Sequence, residues 1–403
     1  MPGIVVVGAG QAGASAVAKL RALGYEGTIT LIGEEPSPPY QRPPLSKKYL
    51  LGELELERMY LRPESFYTEN QIDLHVNEQV TSITPGSKEI TTTGRTLTYD
   101  HLVLATGSVP RRLPAAIGGD LDGVYVVRGL SDVDAMAPEF KEDAHVLIVG
   151  GGYIGLEAAA VAAKKGLKVT LIEMADRILK RVASAETSDY FRDLHQGHGV
   201  DIRETTGLER LVGEGRVTGA HLADGTKLDV DFVIVGVGID PATQLADMAG
   251  LAVENGIKTD EMCRTSDPHI WSAGDCASFP YRGQRVRLES VPNAHDMAEC
   301  VAENIMGAER VYVPQPWFWS DQYDIKLQIS GLNTGYTSVI TRPDAKGRGV
   351  SFWYFKGDEL LAVDAVNEPR AYMVGKRLID AGKSPSPDQI ADAGLELKTL
   401  LKA

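Results

Sequence analysis

Apolar and polar positions near the start of the chain predict one clear order of secondary structure. Residues 4–7 are a short apolar run, which is followed by a glycine-rich turn and by an alanine-rich helical pattern to about residue 23. Residues 28–32 form a second apolar run. Because short apolar runs bounded by glycine are typical of buried strands, the pattern predicts strand, turn, helix and strand.

The same order returns in the middle of the chain. Residues 146–149 precede a second glycine-rich turn, a helix is predicted to about residue 165, and residues 168–172 are the next apolar run. The chain therefore contains an approximate internal duplication. Short strands are predicted after the first unit at 79–84, 89–93, 96–99 and 101–105, and a β-rich stretch after the second at 200–237.

The pattern changes from about Pro316, where aromatic and β-branched residues begin to alternate with polar ones. Helical patterns then run from Pro369 to the C-terminus. Strands followed by helices, rather than interleaved with them, indicate a separate α+β domain. Its strands are predicted at 325–329, 337–341, 350–355 and 360–366.

Each duplicated unit has the G-x-G-x-x-G spacing of a dinucleotide-binding turn. The first glycine of this spacing permits a tight turn, the second lets the backbone approach a pyrophosphate, and the third lets the helix pack on the strand. The motif is weak in isolation, but each copy here follows a predicted strand and begins a predicted helix. The glycines are Gly8, Gly10 and Gly13 in the first copy and Gly150, Gly152 and Gly155 in the second.

An acidic residue follows each turn at the distance where a carboxylate meets the ribose of adenosine. Glu34 lies 21 residues after Gly13, and Glu173 lies 18 residues after Gly155. A carboxylate there accepts hydrogen bonds from the 2′ and 3′ hydroxyls and repels a 2′-phosphate. The sequence therefore predicts two dinucleotides and favours NADH over NADPH, although Arg177 leaves some use of NADPH open.

Composition argues against several classes of function. The formal net charge of −14 argues against a general nucleic-acid binder, which needs a positive surface. The three cysteines provide neither a disulfide framework nor a C-x-x-C pair, and this favours a reducing compartment. No apolar run reaches the ~18 residues of a membrane span, and the first strand begins almost at once, so we expect a cytoplasmic protein without a membrane partner.

Two local sequence patterns resemble parts of a redox-active cysteine site or a metal site. Cys276 follows Asp275 but has no partner cysteine in the sequence pattern, so we expect a small buried residue. His195 and His198 have the spacing of a metal pair, but no third ligand is near them. We therefore expect an exposed helix end there and no metal site.

Seven segments together resemble one family over nearly the whole chain. They are the first glycine turn at 8–13, YQRPPLSK at 40–47, ATGSVPR at 105–111, GGGYIGLE at 150–157, TSDP…AGD at 265–275, ESVPNA at 289–294 and PWFWSDQY at 316–323. The chain resembles the FAD-dependent pyridine nucleotide-disulfide reductases, and within them the ferredoxin reductases that supply bacterial haem monooxygenases and aromatic-ring dioxygenases. RPPLSK and PWFWSDQY are the most specific segments, and apoptosis-inducing-factor-like flavoproteins share the first of them.

The resemblance implies a fold and a set of cofactor contacts. The expected fold is α/β, with two Rossmann-like dinucleotide-binding domains of glutathione-reductase type and a small α+β C-terminal domain. The FAD domain is expected at 1–113 and 238–316, the NAD domain at 114–237 and the C-terminal domain at 317–403. The residues implied for FAD are Gly8, Gly10, Ala12, Gly13, Glu34, Arg42, Lys47, Val80, Ala105, Thr106, Gly107, Arg128, Gly274, Asp275, Val291 and Trp319. Those implied for NAD(H) are Gly150, Gly152, Tyr153, Ile154, Gly155, Glu157, Glu173 and Gly238.

Two of these residues are implied to be catalytic. We expect Lys47 and Glu157 to form an ion pair beside flavin N5. The residues themselves support one further contact, because Val291 and Pro292 begin a predicted helix whose positive end would stabilise the negative charge of reduced flavin. Trp319 and Trp317 could instead be core aromatics, and that interpretation stays open.

The resemblance implies an NADH-dependent ferredoxin reductase whose partner is a two-iron two-sulfur ferredoxin, bound transiently by a monomer or weak homodimer. An NADH-sensing flavoprotein that acts mainly through partner binding remains the alternative. A disulfide reductase would need two redox cysteines, and the spacings of 13 and 24 residues between the cysteines do not offer them.

Basic residues should surround the docking site of an acidic ferredoxin. The helix after Pro292 carries Asp296, Glu299 and Glu303 where basic residues would be expected. The remaining candidates for a basic rim are Arg285, Arg287, Arg310, Lys326, Arg370, Lys376 and Arg377.

Overall fold

The computed structural model describes residues 3–344 and 347–402. Its strands are β1 (Gly3–Val7), β2 (Ile29–Ile32), β3 (Ile72–His75), β4 (Val80–Thr84), β5 (Glu89–Thr92), β6 (Thr96–Leu104), β7 (Ser108–Pro110), β8 (Val124–Tyr125), β9 (His145–Val149), β10 (Lys168–Ile172), β11 (Asp201–Arg203), β12 (Leu208–Glu214), β13 (Arg216–Leu222), β14 (Lys227–Asp229), β15 (Phe232–Val235), β16 (Ile239–Pro241), β17 (Ile257–Lys258), β18 (Ile270–Ser272), β19 (Ala277–Tyr281), β20 (Gln284–Val286), β21 (Trp317–Gln322), β22 (Ile325–Gly331), β23 (Ser338–Pro343), β24 (Val350–Lys356) and β25 (Glu359–Val366).

The helices are α1 (Gln11–Ala22), α2 (Glu64–Glu69), α3 (Leu130–Met136), α4 (Tyr153–Lys164), α5 (Ala185–Gly197), α6 (Gln244–Met248), α7 (Val291–Ile305), α8 (Pro369–Asp380) and α9 (Pro387–Ala391). A π-helical turn at Leu45–Tyr49 is kinked at Lys47. None of the described helices is both long and apolar enough to cross a membrane.

The chain separates into two compact units. The first contains residues 1–44, 54–109 and 239–314, and the second contains residues 45–53, 110–238 and 315–403. The second unit thus holds both the segment expected to bind NAD(H) and the C-terminal segment. The expected four-segment division at 113, 237 and 316 stays a prediction.

The first unit is built on a sheet of seven strands in the order β3-β2-β1-β6-β5-β4, with β18 paired to β6. Strands β1, β2, β3 and β18 are parallel to their neighbours in this sheet. Every residue of β1 and β2 is buried. Burial on both faces explains why these strands read as unbroken apolar runs rather than as an alternating pattern.

The second unit repeats this arrangement. Its parallel sheet has the order β11-β10-β9-β15-β8, so β9 and β10 hold the places of β1 and β2. A separate antiparallel sheet, β12-β13-β14, accompanies it. The internal duplication expected from the sequence is thereby confirmed in strand order.

The C-terminal part of the second unit is an antiparallel sheet in the order β21-β22-β25-β24-β23. Helix α8 packs on β25 and β22, and its buried face includes Tyr372, Val374 and Leu378. The α+β architecture expected for this region is confirmed. Strand β21 was not predicted, and the two strands predicted at 96–99 and 101–105 are one continuous strand, β6.

Candidate functional site

The first glycine turn has the geometry of a nucleotide cradle. Gly8 has φ +110°, and a Cβ there would lie 2.1 Å from the carbonyl oxygen of Ala105. A Cβ on Gly13 would lie 1.9 Å from the carbonyl oxygen of Gly8, whereas a Cβ on Gly10 would meet nothing within 4 Å. Packing therefore requires the first and third glycines, and the second faces the open space that a pyrophosphate needs.

The second glycine turn has the same construction. Gly150 has φ +110°, and its Cβ would lie 2.4 Å from the carbonyl oxygen of Gly236. A Cβ on Gly155 would lie 2.2 Å from the carbonyl oxygen of Gly150, and around Gly152 there is again nothing within 4 Å. Both cradles thus fit a dinucleotide by the same test.

The acid after the second cradle is held by the backbone. The carboxylate of Glu173 accepts hydrogen bonds from the N–H groups of Gly151 and Ala175, both at 2.8 Å. Each carboxylate oxygen has two lone pairs, so acceptor sites remain for ribose hydroxyls. Glu173 therefore has a fixed carboxylate with free acceptor sites, and its assignment to a ribose stays a prediction.

The acid after the first cradle stands one position further along. Gly33 directly follows β2, and a Cβ there would lie 2.5 Å from Cβ of Ala9, so no side chain fits at that position. Glu34 comes next and is exposed. Its carboxylate has no ion pair or side-chain hydrogen bond within the described part of the chain, which leaves it available to a ribose.

Several residues expected to hold FAD come together around Asp275. Ser108, which was not selected from the sequence, donates its hydroxyl to Oδ2 of Asp275 at 3.1 Å. A Cβ on Gly274 would lie 3.1 Å from Cβ of Ala12. Arg42 interacts electrostatically with Asp275. The first unit thus gathers four of the predicted residues into one place.

Arg42 is held by a second acid that the sequence did not single out. Its guanidinium donates to Oε1 of Glu35 at 2.5 Å, and Tyr40 donates its hydroxyl to Oε2 of the same carboxylate. Burial lowers the pKa of Arg42, but the neighbouring Tyr40 and Glu35 outweigh it and the pKa is raised. Arg42 is therefore a fixed positive charge suited to phosphate.

The other residues predicted for FAD in the first unit lie at element ends. Thr106 donates its hydroxyl to the carbonyl of Ala242 at 2.7 Å, and the next residue, Gly107, has φ +70°. Val80 is buried at the start of β4. Val291 begins α7, whose first turn contains no acid that would offset its positive end.

Three residues predicted for FAD belong to the second unit. The backbone N–H of Arg128 donates to Asp132 at 3.1 Å. Trp319 stacks on Trp317 with ring centres 5.5 Å apart. Lys47 lies in the kinked turn. The assignment of all three to FAD stays a prediction.

Lys47 and Glu157 form the expected ion pair. Nζ of Lys47 lies 3.0 Å from Oε1 of Glu157, and the two side chains are 16% and 7% exposed. Ser46 donates its hydroxyl to the other oxygen, Oε2, at 2.9 Å. Glu157 lies in α4, one turn after Tyr153, so the helix that begins at the second cradle also carries this carboxylate.

The inner face of β21 adds a third donor to Glu157. Ser320 donates its hydroxyl to Oε1 of Glu157 at 2.7 Å. Gln322, two residues on, donates to Ser320 Oγ at 3.1 Å and accepts from Nε2 of His195 at 2.7 Å. Because alternate residues of a strand share one face, Ser320 and Gln322 project to the same side.

The expectation of an exposed helix end at His195 is wrong. His195 is 0% exposed, because its ring packs against β21 and hydrogen-bonds to Gln322 and Tyr323. Burial lowers the pKa of His195 to about 4, so the ring is neutral near pH 7. His198 is exposed and stacks on Tyr323 at 3.7 Å.

A second buried polar cluster lies near the start of α4. Asp364 is 0% exposed and accepts hydrogen bonds through Oδ2 from the hydroxyls of Tyr354 and of Thr187, the latter at 2.9 Å. Its Oδ1 and the buried hydroxyl of Tyr153 have no hydrogen-bond partner among the described residues. Burial raises the pKa of Asp364 to about 6.

The basic residues near the second cradle have different environments. The guanidinium of Arg177 donates to the carbonyls of Ser184 and Ala183 at 3.0 and 2.9 Å and to the hydroxyl of Ser188. Arg181, which was not selected from the sequence, is exposed, and its guanidinium lies 3.5 Å from the position of a Cβ on Gly238. Arg177 is therefore committed to its own loop, and Arg181 borders the predicted nucleotide site.

Two cysteines meet although their spacing gave no sign of it. Cys263 and Cys300 are buried free thiols, and burial together with the neighbouring Cys300 raises the pKa of Cys263. Cys300 lies nine residues after Val291 in α7, which at 1.5 Å per residue is about 13 Å from the helix start. Cys276 is buried, as expected. Among the described residues no cluster of His, Cys, Asp and Glu could hold a metal ion.

Comparison with known proteins identifies the family. Residues 2–298 match the pyridine nucleotide-disulphide oxidoreductase family, and residues 317–401 match the reductase C-terminal family. The chain belongs to the pyridine nucleotide-disulphide oxidoreductases. Its family name implies a pyridine nucleotide, and the two cradles of this oxidoreductase fit FAD and NAD(H).

The similarity to known proteins covers almost the full length of the oxidoreductase. It is 44% identical to the ferredoxin reductase subunit of 5,5'-dehydrodivanillate O-demethylase from Sphingobium, over 99% of this chain and 98% of that protein. It is 41% identical to putidaredoxin reductase from Pseudomonas putida, over 99% of this chain and 97% of that protein. The crystal structure of the covalent putidaredoxin reductase–putidaredoxin complex matches with a TM-score of 0.95 at 39% identity, covering 100% of this chain and 98% of that one.

Proposed function

We propose that the protein is an NADH-dependent ferredoxin reductase with FAD as its bound cofactor. The observation that carries the proposal is the presence of two equivalent cradles, each open at its second glycine. FAD accepts a hydride as a nicotinamide does, but it can then give up the two electrons one at a time, which a nicotinamide cannot. The similarity to ferredoxin reductases extends through the C-terminal segment and favours an iron–sulfur protein as the electron acceptor.

NADH is the proposed electron donor. Glu173 is fixed by two backbone N–H groups, so a 2′-phosphate would meet a carboxylate that cannot easily turn away. Arg177 is engaged with the carbonyls of its own loop and is not available to neutralise that phosphate. Both observations support NADH over NADPH.

Lys47 and Glu157 are the proposed catalytic residues. The ammonium of Lys47 is directed by Glu157, and Ser46 holds the second carboxylate oxygen. The assignment of this pair to flavin N5 rests on the resemblance of the RPPLSK segment. Hydride transfer needs no general base, so the role of the pair is to orient the reactants and to set the charge around them.

The structure reduces the number of candidate residues for the basic rim around the ferredoxin docking site. Arg285 donates to the carbonyls of Thr259 and Ser278, and Arg287 pairs with Glu289, so these two are committed within the first unit. Arg310 pairs with Glu303, and Lys376 pairs with Asp380. The remaining candidates, which have no side-chain partner within residues 3–344 and 347–402, are Lys326, Arg370 and Arg377.

These three residues, which we call the basic corner, belong to one part of the C-terminal segment. Lys326 and Asn367 exchange hydrogen bonds at 2.8 and 2.9 Å, and α8 begins two residues after Asn367. Arg370 lies in the first turn of α8, whose N-cap residue is Glu368. A cation there opposes the helix dipole and weakens the helix, which favours a role in binding.

The expected partner is an acidic two-iron two-sulfur ferredoxin, bound transiently by a monomer or weak homodimer. Electrostatic steering suits such a complex, because it speeds association more than it tightens binding. The three cysteines are free thiols and agree with a reducing, cytoplasmic setting.

Rapid reduction of the FAD-loaded protein tests the proposal. NADH should bleach the flavin absorbance quickly under anaerobic conditions, NADPH should do so more slowly, and a two-iron ferredoxin should then restore it within the turnover time. A protein that formed a long-lived reduced complex with NAD and passed electrons to no ferredoxin of a panel would instead be a sensor.

A further inference from the structure

One side of Glu157 is reached by a buried chain of hydrogen bonds that the proposed function does not explain. Oε1 of Glu157 accepts from Ser320 at 2.7 Å and from Lys47 at 3.0 Å, so the same oxygen serves both donors. Behind Ser320 the chain continues through Gln322 and His195 to the hydroxyl of Tyr323.

The hydrogens along this chain all point towards the carboxylate. Nε2 of His195 must donate, because its partner is the amide oxygen of Gln322, and Nδ1 then accepts from the Tyr323 hydroxyl at 3.1 Å. The amide nitrogen of Gln322 donates to Ser320 Oγ, which leaves the serine hydrogen free to point only at Glu157. Each donor polarises the next, so the chain favours one orientation of every group.

Burial makes this chain costly unless it is complete. Ser320, Gln322 and His195 are 1%, 1% and 0% exposed, and a buried polar group without a hydrogen-bond partner destabilises the folded protein. Phe318 lies on the same face of β21 and packs apolar surface on Tyr153 with ring centres 5.0 Å apart. Because an apolar side chain packs well on this face of β21, packing alone does not require the polar side chains of Ser320 and Gln322. They point to a role other than packing.

We propose that Ser320, held by Gln322 and His195, is a positioning residue that fixes the Glu157 carboxylate and thereby the ammonium of Lys47 during hydride transfer. This inference rests on the proposed function and adds to it three residues that are not among the predicted contacts of either nucleotide. Ser46 fixes Oε2, and Ser320 fixes Oε1. With both oxygens held, the carboxylate cannot rotate, and Lys47 has a single anchored partner.

The test compares three FAD-loaded variants with the wild-type protein. Ser320→Ala removes the donor, Ser320→Thr keeps a hydroxyl, and Ser330→Ala is the matched control. Ser330 is 1% exposed on the neighbouring strand β22 and has no side-chain hydrogen bond among the described residues. The dissociation constant for NAD is measured in all four proteins, so that a change in NAD binding through Glu157 is separated from a change in the rate of hydride transfer.

Stopped-flow reduction by NADH should separate the variants. We expect Ser320→Ala to slow hydride transfer about tenfold to a hundredfold, in the range found when a group that orients a reactive residue is lost. Ser320→Thr should restore the rate to within about threefold of wild type, and Ser330→Ala should leave it unchanged. Equal slowing in Ser320→Ala and Ser330→Ala would overturn the inference, as would a wild-type rate in Ser320→Ala.

A second readout does not depend on turnover. The visible absorption spectrum of bound flavin responds to nearby charge, so it should shift in Ser320→Ala and stay as in wild type in Ser320→Thr and Ser330→Ala. If wild-type protein took no hydride from NADH, the proposed function would fail, and the spectra would still decide the inference. An unchanged spectrum in Ser320→Ala would overturn it.

Discussion

Nζ of Lys47 lies 3.0 Å from Oε1 of Glu157, and the two side chains are largely shielded from solvent. Lys47 comes from a kinked turn and Glu157 from the helix that begins at the second cradle. A shielded ion pair of this kind is worth more to function than to stability, because desolvation offsets most of its attraction. Substitutions in this pair should therefore change the reaction rate more than the stability of the fold.

We expect Glu157→Gln to slow hydride transfer at least tenfold and to raise the flavin midpoint potential. The amide keeps the size of the side chain but removes a negative charge, and reduced flavin is itself negative, so the reduced form is favoured. Anaerobic stopped-flow kinetics and a potentiometric titration measure the two effects. Glu53→Gln is the matched control, since Glu53 pairs with Lys164 at 3.0 Å in the exposed part of the same unit.

If both variants behaved like wild type, Glu157 would be an ordinary helix residue. An equal effect in both would indicate a general response to charge rather than a local one.

Asp364→Asn should change how stability depends on pH. Burial raises the pKa of Asp364 to about 6 from the usual 3.8, so the folded state holds a proton that the unfolded state has lost. The stability from this group is present below about pH 4 and is lost as the pH rises through 6. A shift of this size corresponds to about 3 kcal/mol, which Asn should recover above pH 6.5.

Urea unfolding of wild type and Asp364→Asn between pH 4 and 8 measures this difference. The stability gap in favour of Asn should widen from pH 4 to about 6.5 and then remain constant. Parallel curves would mean that the pKa of Asp364 is the same in the folded and unfolded states, contrary to the effect of burial.

His195 should give the opposite dependence of the unfolding free energy on pH. Burial lowers its pKa to about 4 from the usual 6.5, so the unfolded state binds a proton before the folded state does. Wild-type stability from this group is therefore full above pH 6.5 and is lost as the pH falls towards 4. His195→Asn lacks this dependence, so its deficit at neutral pH should shrink by about 3 kcal/mol on acidification.

The same urea series, with wild type and His195→Asn side by side, provides the measurement. A deficit that stayed constant from pH 7.5 to 4.5 would show that the ring titrates normally and is not buried in solution.

The nucleotide cradles could be predicted because their physics is local. Gly8 and Gly150 need positive φ, and Gly13 and Gly155 need a missing Cβ, so the spacing of the glycines carries the structure by itself. Buried parallel strands also give unbroken apolar runs that mark the start of each unit. Family resemblance added the Lys47–Glu157 pair, which no local pattern contains.

The polar chain behind Glu157 could not be predicted in the same way. His195 sits next to a helix end, where local pattern favours exposure, and only the packing of β21 buries it. Strand β21 itself is a run of aromatic and polar residues without clear alternation of hydrophobicity. The Cys263–Cys300 contact joins residues far apart in sequence, so spacing rules for redox cysteines do not detect it.

The basic corner of Lys326, Arg370 and Arg377 gives the last prediction. Reversing Arg370 and Arg377 to Glu should raise the KM for an acidic ferredoxin by about tenfold at low salt and flatten the dependence of the rate on ionic strength, because steering charges act over about 10 Å at 0.1 M salt. Reduction by NADH should be unaffected, since neither residue belongs to a nucleotide cradle. Lys227→Glu is the control, because Lys227 is exposed on β14 without a described partner. If Lys227→Glu changed the ferredoxin kinetics as much as the double reversal did, net charge would be the cause and the basic corner would have no special role.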